Sequence, residues 1–287
     1  MRHPTQLIYS SAIAHKLAAQ RHVSATDLAV EIAELVTAFT LSQSADCVYP
    51  RLPKVVLQNT RVLTTSSGFI QFELKDPAIV GWLDFLIQPC SVAASAPCRD
   101  AINRVSTGNR VSTSISSTPE FHPKIFAIQH AHARCCSLLR LAHRAHLITL
   151  DQPDTDPRNW QLATPTSVPW LTPDLQLQTN HSTERQLINQ LLMTLDELDE
   201  LGEQVSLQTL PIPNQEPSSN PEQALRLATN LSQAFQAVHR DIQMMGSHGC
   251  AEPGDRRHAH LGLILATQRL LHLLLQNCLG IDAPSEL

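Results

Sequence analysis

From near Asp255 to Leu279 the chain follows one helical pattern that is apolar nearly all round, and Gly280 ends it. A helix of that kind cannot lie on a surface with one face wet. Its place is the centre of a bundle, with other helices wrapped about it. Glycine stops it because glycine most readily takes the left-handed conformation of a C-terminal cap. The chain supplies partners for wrapping. From His122 to about Thr149, Ile128, Ala131, Cys135, Leu138, Leu139 and Ala142 share one face. Arg185 to Leu201 repeats Leu187, Ile188, Leu191, Leu192, Leu195 and Leu198, and Asn220-Pro221-Glu222 opens a helix carrying Leu225, Ala228, Leu231, Phe235 and Val238. The fold class expected is therefore mainly α, with a C-terminal all-α helical bundle over 120–287.

Ahead of the bundle the pattern is mixed. Leu7, Ile8, Ala12, Ile13 and Leu17 make an apolar helical stripe over Gln6 to Gln20, and Ser24-Ala25-Thr26-Asp27 forms a capping box for a second helix with Leu28, Ile32, Leu35 and Val36. Val55-Val56-Leu57 and Arg61-Val62-Leu63-Thr64 read as short strands, and Ile70, Phe72 and Leu74 alternate with Gln71 and Glu73 as in a sheet with one wet face. Asp76 as N-cap and Pro77 at the first helical position then open a helix to Ile87. A small α+β domain over 1–89 results. Residues 90–119, dense in Ser, Thr and Asn, read as a flexible linker whose Arg99, Arg104 and Arg110 are solvated, and the proline-rich stretch Asp151 to Pro173 reads as a loop insert.

Charge narrows the function classes. The net charge is −5 with a pI near 6.3, which argues against indiscriminate nucleic-acid binding, because that affinity comes from neutralising phosphates with Lys and Arg. The distribution is uneven, however: residues 91–150 hold seven Lys and Arg against two acids, and residues 151–223 hold two against twelve. Within the basic segment, His130, Arg134, Arg140 and Arg144 fall in an arc of roughly 120° opposite the apolar stripe, at about 100° per residue. The acidic run Asp196-Glu197-Leu198-Asp199-Glu200 reads as a solvated face or a protein-docking segment.

No run of eighteen apolar residues exists and the N-terminus lacks a signal peptide's apolar core, so the expected location is cytoplasmic, with no membrane partner. Seven cysteines at irregular places suit a reduced compartment. His248, Cys250, His258 and His260 surround a Gly/Pro loop and raise the possibility of zinc, but their spacing is irregular and no Cys-x-x-Cys is present; a plain interhelical loop is expected, and no metal. His132 faces the apolar side of its helix and reads as a hydrogen-bonded core histidine. Neighbouring Cys135 and Cys136 point to different faces and suit neither a redox pair nor a shared metal. With no Gly-rich phosphate cradle and no convincing Ser/His/Asp set, no cofactor and no catalytic residue are expected.

Two segments carry a family resemblance. Gln129-His130-Ala131-His132-Ala133-Arg134, read with the last helix and Leu279-Gly280-Ile281-Asp282-Ala283-Pro284-Ser285-Glu286, resembles the DALR anticodon-binding domain of arginyl-tRNA synthetases. Gly68-Phe69-Ile70-Gln71-Phe72-Glu73-Leu74 resembles the segment closing the N-terminal domain of the same enzymes. The resemblance covers roughly 5–88 and 120–287. Between these two regions, where the full enzymes carry a catalytic domain, stand about thirty residues, 89–119, and neither His-Ile-Gly-His nor Lys-Met-Ser-Lys-Ser occurs.

The resemblance implies a non-catalytic tRNA-binding protein whose bundle grips the anticodon arm, with Gln129, His130, Arg134, Arg140, Arg144, His239 and Arg240 as RNA-contacting residues. His130 replaces the family's tyrosine, and His239 and Arg240 replace a Tyr-Asn pair. Reading of an arginine anticodon is thereby weakened, while phosphate binding survives such drift. The alternative is a protein-interaction or split subunit of an ATP-dependent arginine-tRNA ligase, partnered by a separate arginyl-tRNA synthetase that carries out catalysis.

Overall fold

The computed structural model describes residues 7–42, 54–88, 121–153, 155–179, 181–200, 221–246 and 254–287. The linker expected over 90–119 lies outside them.

The N-terminal unit begins with a strand, β1 (Leu7–Ser11), followed by α1 (Ile13–Arg21) and α2 (Ala25–Ser42). The helix expected from Gln6 therefore starts later. A short apolar run suits either period, and here the ladder decides: β1 pairs antiparallel with β3 (Ile70–Leu74), Tyr9 opposite Phe72 and Ser11 opposite Ile70. The other edge of β3 takes β2 (Thr60–Thr64), giving the order β1-β3-β2. The β2–β3 turn needs Gly68, whose φ is 83° and whose missing Cβ leaves room for Ala25 at 3.1 Å. Ser24 accepts from the backbone N–H of Asp27 at 3.5 Å, as a helix-opening residue should.

Val55-Val56-Leu57 is not a strand. It belongs to α3 (Lys54–Gln58), which lies on α4 (Asp76–Ile87) where Gly81 leaves space: a Cβ there would stand 2.5 Å from Val55 Cγ1 and 2.9 Å from Val56 Cγ2. Packing against a neighbour overrides the β preference of valine. Asp76 is not the N-cap either; Lys75 is, and makes no side-chain cap bond. The Asp76 carboxylate instead accepts from the Leu177 backbone N–H at 2.8 Å and from Arg185 at 3.0 and 3.1 Å.

The second half is the expected bundle. It is built from α5 (Phe121–Arg144), α6 (Ser182–Glu200), α7 (Pro221–Gly246) and α8 (Gly254–Leu273), the last extended by a π-helical turn Leu274–Cys278. From Leu263 to Leu275 every residue of α8 and its extension is buried, as a central helix requires. Gly280 follows with φ 64°. One hydrophobic cluster runs from Ala78, Ile79, Leu83 and Leu86 of α4 through the whole bundle. Buried polar ties cross the same boundary. Arg269, 9% exposed on α8, donates to the carbonyls of Leu86 at 3.1 Å and Trp160 at 2.7 Å and also to that of Gln88.

The stretch read as a loop insert opens at the end of a short strand, β4 (Thr149–Asp151), and holds its partner strand, β5 (Gln161–Thr164), and two buried indoles, Trp160 and Trp170. Trp170 donates to Asp84 at 2.7 Å and presses against α8 at Gly262, where a Cβ would meet its ring at 2.5 and 2.9 Å. Alanine in place of a helical glycine ordinarily stabilises. Here Gly262→Ala has the opposite sign, a loss of roughly 1–3 kcal/mol from overpacking against an immovable ring. Urea unfolding followed by tryptophan fluorescence checks it; a raised midpoint contradicts the account.

Candidate nucleic-acid interface

Past Gly280 the last seven residues turn back along α5. The amide of Gln129 donates to the Asp282 carbonyl at 2.9 Å, and the first guanidinium nitrogen of Arg140 donates to the Ser285 carbonyl at 3.1 Å and to Glu286 Oε1 at 3.0 Å. Arg140 also lies over the Trp160 ring, 5.1 Å from its centroid. Between them, His132 is fully buried, with Nδ1 2.8 Å from the Pro284 carbonyl and Nε2 3.1 Å from the Gln268 amide nitrogen. An amide nitrogen can only donate, so Nε2 accepts and Nδ1 carries the proton given to Pro284. The imidazole is neutral, and burial lowers its pKa. The His272 ring lies beside it, centroids 5.4 Å apart and planes tilted by 48°, and burial, with His132 beside it, pushes His272 down to about 4.

The expected core role of His132 matches this geometry. Gln129 and Arg140, which the resemblance implies as RNA contacts, use their side chains to hold the tail. This clasp is what reading residue by residue missed. Its signal was present, since the two C-terminal landmarks are opposite sides of one contact.

The outward face of α5 is free of the tail. His130, Arg134 and Arg144 are exposed there, and no acid occurs anywhere in the helix. Arg134 Nε donates to His239 Nε2 of α7 at 3.3 Å, which brings the two basic segments onto one surface. The His239 ring stacks on Phe235 at 5.9 Å with planes 9° apart, and its pKa is lowered by burial and by the Arg134 charge. Arg240, exposed beside it, donates through Nε to the Gln236 carbonyl at 3.3 Å. Sequence reasoning also passed over Phe126, 59% exposed one turn before His130, with ring centroids 6.4 Å apart. Its position on the helical wheel, in line with His130 and Arg144, was the available clue.

The zinc quartet is not assembled by the residues described. His258 lies 2.9 Å from the Leu147 carbonyl, His260 pairs with Glu184, and His248 and Cys250 fall outside the described residues. Among the described residues no group of three or more His, Cys, Asp or Glu could hold a metal. Burial pushes the Glu184 carboxyl up, but hydrogen bonds from His260 and the His181 backbone, with the charges of His260 and Arg256, outweigh it and leave the pKa lowered. The buried Cys136 thiol is pushed up to about 12, chiefly by burial, which makes it a poor nucleophile. On α6, Glu197 accepts from Arg226 at 2.7 Å and Gln223 at 3.2 Å, and Asp196 lies against Tyr9. Those two acids are thus engaged by their own chain. Among the described residues no helix is long and apolar enough to cross a membrane.

A family model described as the DALR anticodon binding domain matches residues 128–287, more than half of the chain. No curated protein and no solved structure matches it.

Because His132 and His272 are buried neutral, both take up protons more readily when unfolded. Stability is then lost as pH falls below about 6.5, the unfolded value, and continues to fall until the folded value of His272, about 4, is passed. Each pH unit within that window costs roughly 1.4 kcal/mol for His272. Thermal melts between pH 7 and pH 4.5 should show a steep fall for the wild type and a shallower one for His272→Gln. Equal slopes would mean that His272 is not buried neutral.

Proposed function

From the premise that the chain belongs to the DALR anticodon binding domain family, we propose that it binds the anticodon arm of tRNA through the outer face of α5 and the adjoining end of α7, without aminoacylating that tRNA itself. The observation that carries this reading is the cationic outer face of α5, a helix with no acid of its own, in an otherwise acidic chain. His130, Arg134 and Arg144 stand on α5, with His239 and Arg240 beside Arg134. Arginine suits such a face, because its planar fork pairs with phosphate and stacks on bases. Gln129 and Arg140 act one step back, holding the tail that fixes the rotation of α5.

A separate arginyl-tRNA synthetase is the partner that would supply catalysis if the protein serves charging at all. The sequence contains neither of the two adenylate-forming signatures.

Salt-titrated binding of an unmodified tRNA tests the site. Arg134→Ala combined with Arg144→Ala should weaken binding and flatten the dependence of log affinity on log salt by about one unit for each phosphate that no longer meets a cation. An unchanged affinity and slope would remove this face from the reading. In a parallel assay, the chain with arginine, ATP and tRNA should yield no charged tRNA; robust charging by the chain alone overturns the non-catalytic part.

A further inference from the structure

The tail that crosses α5 has two unlike halves. Its inner half is anchored in the core. Ile281 donates its N–H to the Leu275 carbonyl at 2.8 Å, Ile281 and Ala283 pack against the main apolar cluster, and the Pro284 carbonyl meets His132, which is fully buried. The outer half, Ser285 to Leu287, is held by one side chain of α5: Arg140 Nη1 donates both to the Ser285 carbonyl at 3.1 Å and to Glu286 Oε1 at 3.0 Å. The two side chains of this ion pair are unequally exposed, 21% for Arg140 and 82% for Glu286, and Leu287 beyond them is 66% exposed.

These contacts make Arg140 a cation held in reserve. By helical angle it belongs to the arc of His130, Arg134 and Arg144, and among the described residues it is the arginine of that arc paired with an acid. Asp156, whose charge is felt with that of Arg140 at Cys136, is taken by Arg158 at 2.6 and 2.8 Å. The hold of Glu286 is weak for two reasons. A pair with one partner in open solvent gains little, and a single guanidinium nitrogen shared between two oxygens is not the parallel fork of a strong arginine–carboxylate pair. Opening it leaves no charge stranded, because Arg140 keeps its place over the Trp160 ring, 5.1 Å from the centroid, and Glu286 is already in water. The inner half of the tail stays on His132 throughout, so α5 keeps its orientation.

A carboxylate and a phosphate present the same kind of oxygen to a guanidinium, so Glu286 stands where a phosphate of a ligand would stand. We infer that the outer half of the tail is an autoinhibitory contact, in which Glu286 withholds Arg140 from the cationic face and keeps that face below its full charge until the contact opens. The inference rests on the RNA-binding reading above and adds its regulation. Glu286 is a positioning residue in this account: it acts through Arg140 and touches no ligand itself.

The test is a double-mutant cycle on the whole chain, with an unmodified tRNA as probe and a salt titration for each protein. Glu286→Gln keeps the shape of the side chain and removes its charge. It should raise affinity about 1.5- to fivefold, the range spanned by an exposed ion pair. It should also steepen the dependence of log affinity on log salt by about 0.7–0.9 unit, because one more phosphate meets a cation. Arg140→Gln, which keeps a donor for the Ser285 carbonyl, should leave the wild-type slope nearly unchanged, since the cation it removes was not in use. Glu286→Gln combined with Arg140→Gln should lose the added slope. Glu286 is exposed, so a thermal melt of Glu286→Gln equal to that of the wild type is expected and separates an opened contact from an altered fold.

An equal gain from Glu286→Gln with Arg140 present or absent, at unchanged slope, is a general charge effect and overturns the autoinhibitory contact. Arg140→Gln weakening the wild type as much as it weakens Glu286→Gln overturns it too, because Arg140 would then be free already. Both results leave the RNA-binding reading intact as long as Arg134→Ala with Arg144→Ala still weakens binding. If neither the wild type nor Glu286→Gln binds tRNA, that reading falls and the autoinhibitory role with it. Binding by Glu286→Gln where the wild type shows none supports both.

Discussion

One neutral imidazole ties the two ends of the bundle's sequence together. His132 has one donor and one acceptor, and both are spent: the donor on the Pro284 carbonyl of the tail, the acceptor on Gln268 of the central helix. A charged imidazole in that place would carry two donors and face the Gln268 amide with the wrong polarity, so burial and hydrogen bonding select the same protonation state. The consequence is geometric. With His132 fixed on one side and Gln129 and Arg140 pinned to the tail, α5 has no freedom to rotate about its axis. The side that carries Phe126, His130, Arg134 and Arg144 must then face outward. A surface made of long, flexible side chains is in this way oriented by short, buried ones.

The same economy operates between the N-terminal unit and the bundle. Their apolar cores are continuous, but apolar contact alone leaves sliding motions inexpensive. Buried polar contacts restrict them. Arg269 gathers carbonyls from the end of α4 and from Trp160, Asp76 meets Arg185 with both side chains about one-tenth exposed, and Asp84 accepts from Trp170. Such pairs are poor sources of net stability because each charge has left water. What they contribute is register, since a shift of a few ångströms would strand a buried charge. For Asp84 burial outweighs the indole hydrogen bond and raises the carboxyl pKa, as expected where a neutral donor is the partner.

How much of this was legible depended on what the sequence pattern measures. The all-round apolarity of α8, the stripe on α5 and the cap at Gly280 are local properties, and each has its counterpart in the structure. The small N-terminal elements were harder. Leu7 to Ser11 and Val55 to Leu57 are too short for a period of two to be told from one of 3.6, and their states are set by the edge of β3 and the gap at Gly81. The proline-rich stretch after β4 looked like a loop because prolines dominate it, yet it delivers Trp160 and Trp170 into the core. Pattern reading weighs residues by frequency, whereas burial weighs them by area, and two indoles outweigh several prolines. At the candidate site, the helical wheel placed Arg140 among the outward cations but could not reveal that a tail 145 residues away would claim it.

A net negative chain with a cationic face raises the question of whether its own acids cancel the face. Distance and salt answer it. The acid-rich helix α6 packs on α7, and α7 packs on α5, so α7 separates the acids from the outward cations. Packed helices stand roughly 8–10 Å apart, which puts α6 on the order of 16–20 Å from α5, about two screening lengths at physiological salt. Two of the nearer acids are also occupied, Glu197 by Arg226 and Asp196 by Tyr9. The acids nearest the outward cations are then Glu286, paired with Arg140, and Asp241, beside His181. What the distant acids do retain, at low salt, is a long-range repulsion of polyanions that approach from any other side. Such an arrangement penalises indiscriminate contact with nucleic acid while leaving one face open to it.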